Sequence, residues 1–156
     1  MTPVRTRPVE VHEFCALARL VGGHPLFERY GVDPASLERA LGDGVGAGDA
    51  VMAAEDDGRL LGFAWWSPRG AFARSPYLRL LVVAHDAVGR GVGSALMDAF
   101  ESTALATAAD AFLLVTHDND AALRFYRRRG YAEVGRLPGY VRPAITEVVL
   151  RKRRPG

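Results

Sequence analysis

Glycine stands at every second position in Gly89-Arg90-Gly91-Val92-Gly93-Ser94. This stretch lies between an apolar run, Tyr77 to Ala84, and a segment of helical periodicity, Gly93 to Ala106. Glycine lets a backbone approach a ligand closely and take positive φ. A helix opening from such a loop presents unpaired N–H groups and the positive end of its dipole. Together they form an anion site suited to a pyrophosphate. Two common phosphate loops do not fit. The P-loop needs Gly-x4-Gly-Lys-Ser/Thr, and the loop has no lysine. The dinucleotide fingerprint needs Gly-x-Gly-x-x-Gly near the first strand; here the last spacing differs and the loop lies past the middle of the chain. A tight turn without a ligand is the competing explanation, but it would not repay the entropy of three alternating glycines.

The elements that must hold this loop follow from periodicity. Val4 to Arg7 is a short first strand. Glu10 to Val21 places Val11, Phe14, Leu17, Ala18 and Val21 on one helical face, and Gly22-Gly23 ends that helix. Asp33-Pro34 is an N-cap followed by proline at the first helical position. Leu37 and Leu41 give this second helix its stripe; Gly42 stops it, and Gly42 to Gly48 is expected to be a mobile connector. Ala50 to Glu55 and Leu60 to Ser67 are strands joined by the hairpin signal Asp57-Gly58, with Pro68 helping to end the second. Tyr77 to Ala84 is a continuous apolar strand, the pattern of burial on both faces. Leu96, Met97, Phe100 and Ala104 face inward from the helix after the glycine loop. Ala111 to Thr116 is a buried strand, Asn119 to Arg129 a helix stopped by Gly130, and Ala132 to Arg136 and Ala144 to Leu150 closing strands. The expected order is β-α-α-β-β-β-α-β-α-β-β, an α/β fold with a mixed sheet and helices on both sides.

At this point two motifs resemble one family. Val83-x5-Gly89-x-Gly91-x-Gly93-x-x-Leu96 looks like the central motif of the GNAT N-acetyltransferases, usually written Arg/Gln-x-x-Gly-x-Gly/Ala. Val88 stands where the family has Arg or Gln, and Arg90 fills a position that is often basic. Asn119-x-x-Ala122-x-x-x-Tyr126-x-x-x-Gly130-Tyr131 is similar to the family's Asn-x-x-Ala-x-x-x-Tyr-x-x-x-Gly-Phe, with Tyr131 in place of phenylalanine. Both motifs come in the family's order and spacing. The resemblance is good over Tyr77 to Arg136 and rests on element order alone in the N-terminal half. It implies one GNAT-like domain over 1–156, with an acetyl-CoA-binding core at about 77–136 and a basic tail at 150–156.

The resemblance also implies roles. The backbone of Leu81, Val82 and Val83 would pair with the pantetheine arm of acetyl-CoA. Gly89, Arg90, Gly91, Val92, Gly93 and Ser94 would hold its phosphates, and Asn119 would contact the arm besides capping its helix. A neutral amine would attack the thioester carbonyl, with backbone N–H groups near Val83 steadying the oxyanion. Tyr126 would protonate the departing thiolate; the competing explanation is a core tyrosine packed against Phe125 and Leu123. The amine must first lose a proton. Glu55, His85, His117, Asp118 or a water chain are the candidates, none singled out; His117 lies at a strand end, and its competing explanation, the favoured one, is a surface loop residue. The acceptor would meet Gly22 to Tyr30, Phe63 to Pro68 and Pro138 to Pro143. Phe27, Tyr30, Trp65, Trp66 and Tyr140 are candidate walls, which would suit an apolar or cationic amine. Trp65 and Trp66 are adjacent on a strand, so at most one faces any given site.

Composition sets limits. The chain has 156 residues, a formal net charge of +2 and 49% hydrophobic residues, enough for one domain with a core. Its single cysteine, Cys15, allows no internal disulfide and sits at a small apolar position of a predicted helix. No apolar run approaches the ~18 residues of a membrane span, and Met1 to Pro8 lacks the apolar region of a secretory signal. The expectation is a cytoplasmic protein that binds no metal and no membrane. Of 20 basic residues only Lys152 is lysine. Arginine clusters at Arg124 with Arg127 to Arg129, and with Lys152 at Arg151 to Arg154. Neither cluster has the interleaved aromatics of a single-strand binding surface, and the small net charge argues against a nucleic-acid partner. The first is read as a phosphate-facing or solvated helix face, the second as a frayed end. The expected partners are a small-molecule or peptide amine and, by the family's habit, a second copy in a homodimer. A non-catalytic acyl-CoA sensor of the same fold is the alternative.

Overall fold

The computed structural model describes residues 3–156. Seven strands form one sheet in the order β1-β2-β3-β4-β5-β7-β6. The strands are β1 Arg5–Pro8, β2 Ala50–Asp56, β3 Arg59–Ala71, β4 Ser75–Val83, β5 Asp110–Thr116, β6 Ala132–Pro138 and β7 Thr146–Arg153. Every neighbouring pair is antiparallel except β4 and β5, the two strands of the βαβ unit. Asp57 and Gly58 both take positive φ, 49° and 77°, as a two-residue hairpin turn of matching twist requires.

Helices cover both faces. On one, α1 Phe14–Arg19, α2 Pro25–Arg29 and α3 Pro34–Gly46 bury Phe14, Leu17, Phe27, Leu37 and Leu41 against Val51, Phe63, Trp65 and Val82. On the other, α4 Val92–Thr107 and α5 Asp120–Arg128 bury Leu96, Met97, Phe100, Leu123 and Tyr126 against Leu61, Trp66, Leu113 and Val148. Adjacent residues of β3 therefore serve opposite cores, with Trp65 in the first and Trp66 against Phe100 in the second.

Several expectations need correction. The α2 helix interrupts the segment between the first two expected helices. His24 caps it through Nδ1, which accepts from the Leu26 N–H at 3.2 Å, and Pro25 opens it; five residues are too few to show a period. The first helix begins only at Phe14, after a 3₁₀ turn, and Val11 is exposed. Glu13 explains the turn: its carboxylate accepts from the Glu10 N–H at 2.9 Å and from both terminal nitrogens of Arg7 at 2.6 and 3.0 Å. Gly42 does not end α3, which runs to Gly46. Gly44 packs its bare backbone on Trp65, where a Cβ would lie 2.8 Å from the indole, so tertiary packing outweighs low helix propensity. Pro68 does not end β3 either; it sits where the register with β4 shifts between Ser67 and Ala71, the irregularity that tolerates proline. Residues 151–153 are not frayed. They extend β7, with Arg151 paired to Asp110 at 2.8 Å and Lys152 to Glu101 at 2.8 Å.

Candidate active site

The parallel pair β4 and β5 stays together only at Tyr77↔Phe112 and Leu78↔Leu113. Beyond these residues β4 continues to Val83 on β3 alone, and β5 continues to Thr116 on β7 alone. The sheet therefore splays, and the β5-facing edge of β4 from Arg79 to Val83 has no strand partner. Two clefts open along this gap.

The larger, about 570 Å³, runs over Leu81 to Val83, the glycine loop, the first turn of α4 and the face of α5 that carries Asn119, Ala122, Phe125 and Tyr126. Gly89 and Gly91 have φ of 81° and 79°, and a Cβ on either would meet nothing within 4 Å. The loop thus turns its bare backbone to the open cleft in a conformation that disfavours any side chain. The first hydrogen bond closing α4 is Ala95 N–H to Gly91 O at 3.0 Å. The amides of Val92, Gly93 and Ser94 precede it and have no acceptor within the helix. Gly93 lies beside the Phe125 ring, where a Cβ would make an ordinary contact at 3.5 Å, so packing alone does not require glycine there. Open glycines, free amides and a free strand edge form a cradle that fits a pyrophosphate and an extended amide-bearing arm.

The smaller cleft, about 330 Å³, lies across the gap between α2 and the ends of β4, β5 and β7. Its walls include Phe27, Tyr30, Tyr77, Arg79, Leu114 and Glu147. Asn119, Ala122, Tyr126 and Leu81 line both clefts. Tyr126 stands at their junction, 8% exposed, packed edge-on to Phe125 and Tyr131 at ring distances of 5.1 and 5.7 Å. Burial raises its phenol well above the ordinary value, so it is protonated at neutral pH. Asn119 caps α5, its Oδ1 accepting from the Ala122 N–H at 3.2 Å.

The sequence-predicted residues divide clearly. Leu81, Val82, Val83, Gly89, Gly91, Val92, Gly93, Ser94, Asn119 and Tyr126 all line the larger cleft. The side chain of Arg90 does not: it turns to Asp56 at 2.7 Å, and its N–H is spent on Ala87 O at 3.3 Å. Glu55 is held by Arg5 at 2.5 Å and Arg7 at 2.8 Å on the β1 side of the sheet, which lowers its pKa and removes it from either cleft. Asp118 is held by Arg29, whose hydrogen bonds keep its pKa low. His85 and His117 are exposed and line neither cleft. Among the acceptor candidates, Phe27 and Tyr30 are on the wall, Trp65 and Trp66 are core, and Tyr140 is exposed outside the cleft. In the first arginine cluster, Arg129 is tied to Asp98 and Glu101 and only Arg128 reaches the larger cleft.

Sequence reasoning missed Glu147. It is 3% exposed, lines the smaller cleft and accepts a short hydrogen bond from the Tyr30 hydroxyl. Having given its proton to Glu147, that hydroxyl accepts from Thr116 Oγ1 at 2.6 Å. Burial, then the bond to Glu147, pushes the Tyr30 phenol up to about 12. The available signal was an acidic residue at an inward position of a closing strand, which alternation alone does not separate from a strand-end charge.

The sequence profile of the acetyltransferase (GNAT) family matches residues 22–131, including the glycine loop, Asn119 and Tyr126. The chain belongs to this family. It is 35% identical over 127 residues to the mycothiol acetyltransferase of Tsukamurella paurometabola, an alignment covering 76% of this chain; the chain spans 40% of that relative's length. Ard1 from Thermoplasma volcanium superposes with a TM-score of 0.81 at 23% identity, covering 98% of this chain and 99% of that one. The ribosomal-protein-S18-alanine N-acetyltransferase of Escherichia coli gives 0.79 at 17% identity, covering 99% and 96%. The mixed seven-stranded sheet and its flanking helices are thus the GNAT fold. The family uses acetyl-CoA, and the cradle fits that cosubstrate. No group of metal-ligating side chains occurs among the described residues, and no helix among them is long and apolar enough to cross a membrane.

Proposed function

We propose that this protein is an N-acetyltransferase that moves the acetyl group of acetyl-CoA to a primary amine. The observation that carries this reading is the meeting of the two clefts at Tyr126. One cleft has the features of a pyrophosphate and amide-arm groove. The other is a separate, mainly apolar chamber that a second substrate can enter from the far side of the gap.

In this reading the amides of Val92, Gly93 and Ser94 bind the phosphates, and Gly89 and Gly91 keep the loop flat against them. The free edge of β4 at Leu81 to Val83 holds the arm in an extended conformation. Asn119 fixes the start of α5 and with it the position of Tyr126. An acceptor amine in the smaller cleft forms its C–N bond to the thioester carbon as the C–S bond breaks and sulfur takes the bonding pair. A strand N–H near Val83 stabilises the carbonyl oxygen during attack. Tyr126 offers its hydroxyl proton to the departing sulfur, the proton lost by the acceptor nitrogen passes to water, and Tyr126 regains a proton from water to close the cycle.

The test is thiol release from acetyl-CoA against a broad panel of amines and peptides, alongside direct binding of acetyl-CoA. Turnover on an amine supports the enzyme. Tight binding without turnover on any acceptor favours an acyl-CoA sensor, and absence of binding removes the reading altogether.

A further inference from the structure

Glu147 is a buried carboxylate whose side-chain hydrogen bond comes from a neutral phenol. A buried charge without a cation is costly unless a partner arrives. The groups facing it are Tyr30 and Arg29 from α2, Thr116 from β5, and Tyr77 from β4. Arg29 is already engaged with both oxygens of Asp118, at 2.9 and 3.0 Å. The arginine on the cleft wall, Arg79, stacks 4.1 Å over the Trp65 ring and pairs with Asp49 at 3.0 Å. Arg142, in the β6–β7 loop, spends two nitrogens on the Tyr30 carbonyl at 3.0 and 2.6 Å. These contacts pin α2 over the cleft and leave it with a carboxylate that no cation hydrogen-bonds among the described residues, although Arg29 is near enough to attract it, and with apolar walls, Phe27, Leu80 and Leu114, along its sides.

We propose that Glu147 seats the ammonium group of the acceptor, and that the cleft selects a compact primary amine with an apolar body and no carboxylate on the amine-bearing carbon. The proposal rests on the acetyltransferase reading for what happens next, but not for the binding itself. A carboxylate beside the amine would lie against Glu147, and the guanidinium on the wall, Arg79, is already paired with Asp49 and stacked on Trp65, so α-amino acids are disfavoured by repulsion. Tyr30 acts as a positioning residue: its hydroxyl, held by Thr116, orients the Glu147 carboxylate.

The experiment compares three matched pairs by calorimetry on the full chain, with and without CoA: 2-phenylethylamine and phenylalanine, isoamylamine and leucine, tyramine and tyrosine. At least one amine is expected to bind, with its amino acid weaker by roughly tenfold to a hundredfold, the span of a hydrogen bond to a charged group. Glu147→Gln is expected to abolish most of that difference by weakening the amine, while the acetyl-CoA KM stays unchanged. Amino acids binding as well as their amines, an amine affinity indifferent to Glu147→Gln, or no binding by any of the three amines each overturns the proposal. The wild-type comparison stands even if the variant does not fold. Amine binding without turnover would refute the transferase reading while leaving the ammonium seat intact.

Discussion

Replacing Tyr126 by phenylalanine separates a chemical role from a packing role. The ring is buried between Phe125 and Tyr131, and no side chain among the described residues hydrogen-bonds its hydroxyl. Phenylalanine keeps the ring contacts and leaves no partner orphaned, so stability should change by about 1 kcal/mol or less. The rate should change far more. A positioned acid contributes roughly 10² to 10⁴. Burial makes this phenol a weaker acid than an ordinary tyrosine, whereas a thiol titrates near about 8.5. The mismatch places the effect at the low end, about a hundredfold in kcat, or ~2.7 kcal/mol of barrier. Because Tyr126 stays protonated across the assay range, the variant should keep the shape of the wild-type pH–rate profile at lower amplitude. The assay is thiol release at saturating acetyl-CoA, with thermal unfolding in parallel. A kcat within about threefold of wild type, at unchanged KM for both substrates, would refute the assignment of Tyr126 as acid.

Gly91→Val should raise the acetyl-CoA KM by at least about tenfold, because φ of 79° strains any side chain by ~1–2 kcal/mol and the new side chain enters the phosphate cradle; titration of CoA binding checks this, and an unchanged affinity would detach the loop from the phosphates. Glu13→Gln should flatten acid unfolding. The Arg7 hydrogen bonds, and then the Glu10 amide, lower the Glu13 carboxyl from an ordinary 4.5 to about 2. The depressed pKa means the stabilisation is fully present above about 4.5 and is lost as pH falls toward about 2. The variant should lose stability at neutral pH and less of it over that acid window, as measured by urea unfolding at several pH values.

The larger cleft was legible in the sequence because backbone conformation builds most of it. Backbone geometry leaves a local trace: alternating glycines, a helix start directly after a strand, an asparagine at an N-cap. Each of these reads within a few residues, and the cleft contains nearly all of them. The acceptor half was not legible in the same way. Its walls come from α2, the ends of β4 and β5 and the start of β7, and Tyr30 and Glu147 are 117 positions apart. The register of β5 on β7 sets Thr116 opposite Glu147, and Tyr30 reaches both from the end of α2. The misjudged bases have the same origin. Glu55 and Asp118 each looked available because the arginines that neutralise them lie 48 and 89 positions away. Arg90 was misplaced for a similar reason, since Asp56 lies 34 positions from it.

The splay between β4 and β5 ties both halves together. The register of β3 on β4 shifts between Trp65 and Trp66, so β4 carries a bulge at Arg79, directly after its last pair with β5 at Leu78. The parallel crossover through α4 starts β5 beside β4 at Tyr77 and Leu78, and the pairing of β5 with β7 then draws it away. One face of the opening receives the loop at the C-terminal end of β4, where a strand runs into a helix N-terminus. The other receives α2, fastened by Arg29 to Asp118 and by Arg142 to the Tyr30 carbonyl. The larger cleft therefore draws most of its wall from segment 81–128, with His24, Leu26 and Phe27 closing it, and the smaller cleft is built from contacts that cross the chain. Substitutions in the β6–β7 loop, at Val141, can then reshape the smaller cleft without touching the larger one, whereas Leu26 and Phe27 of α2 line both and changes there reach both.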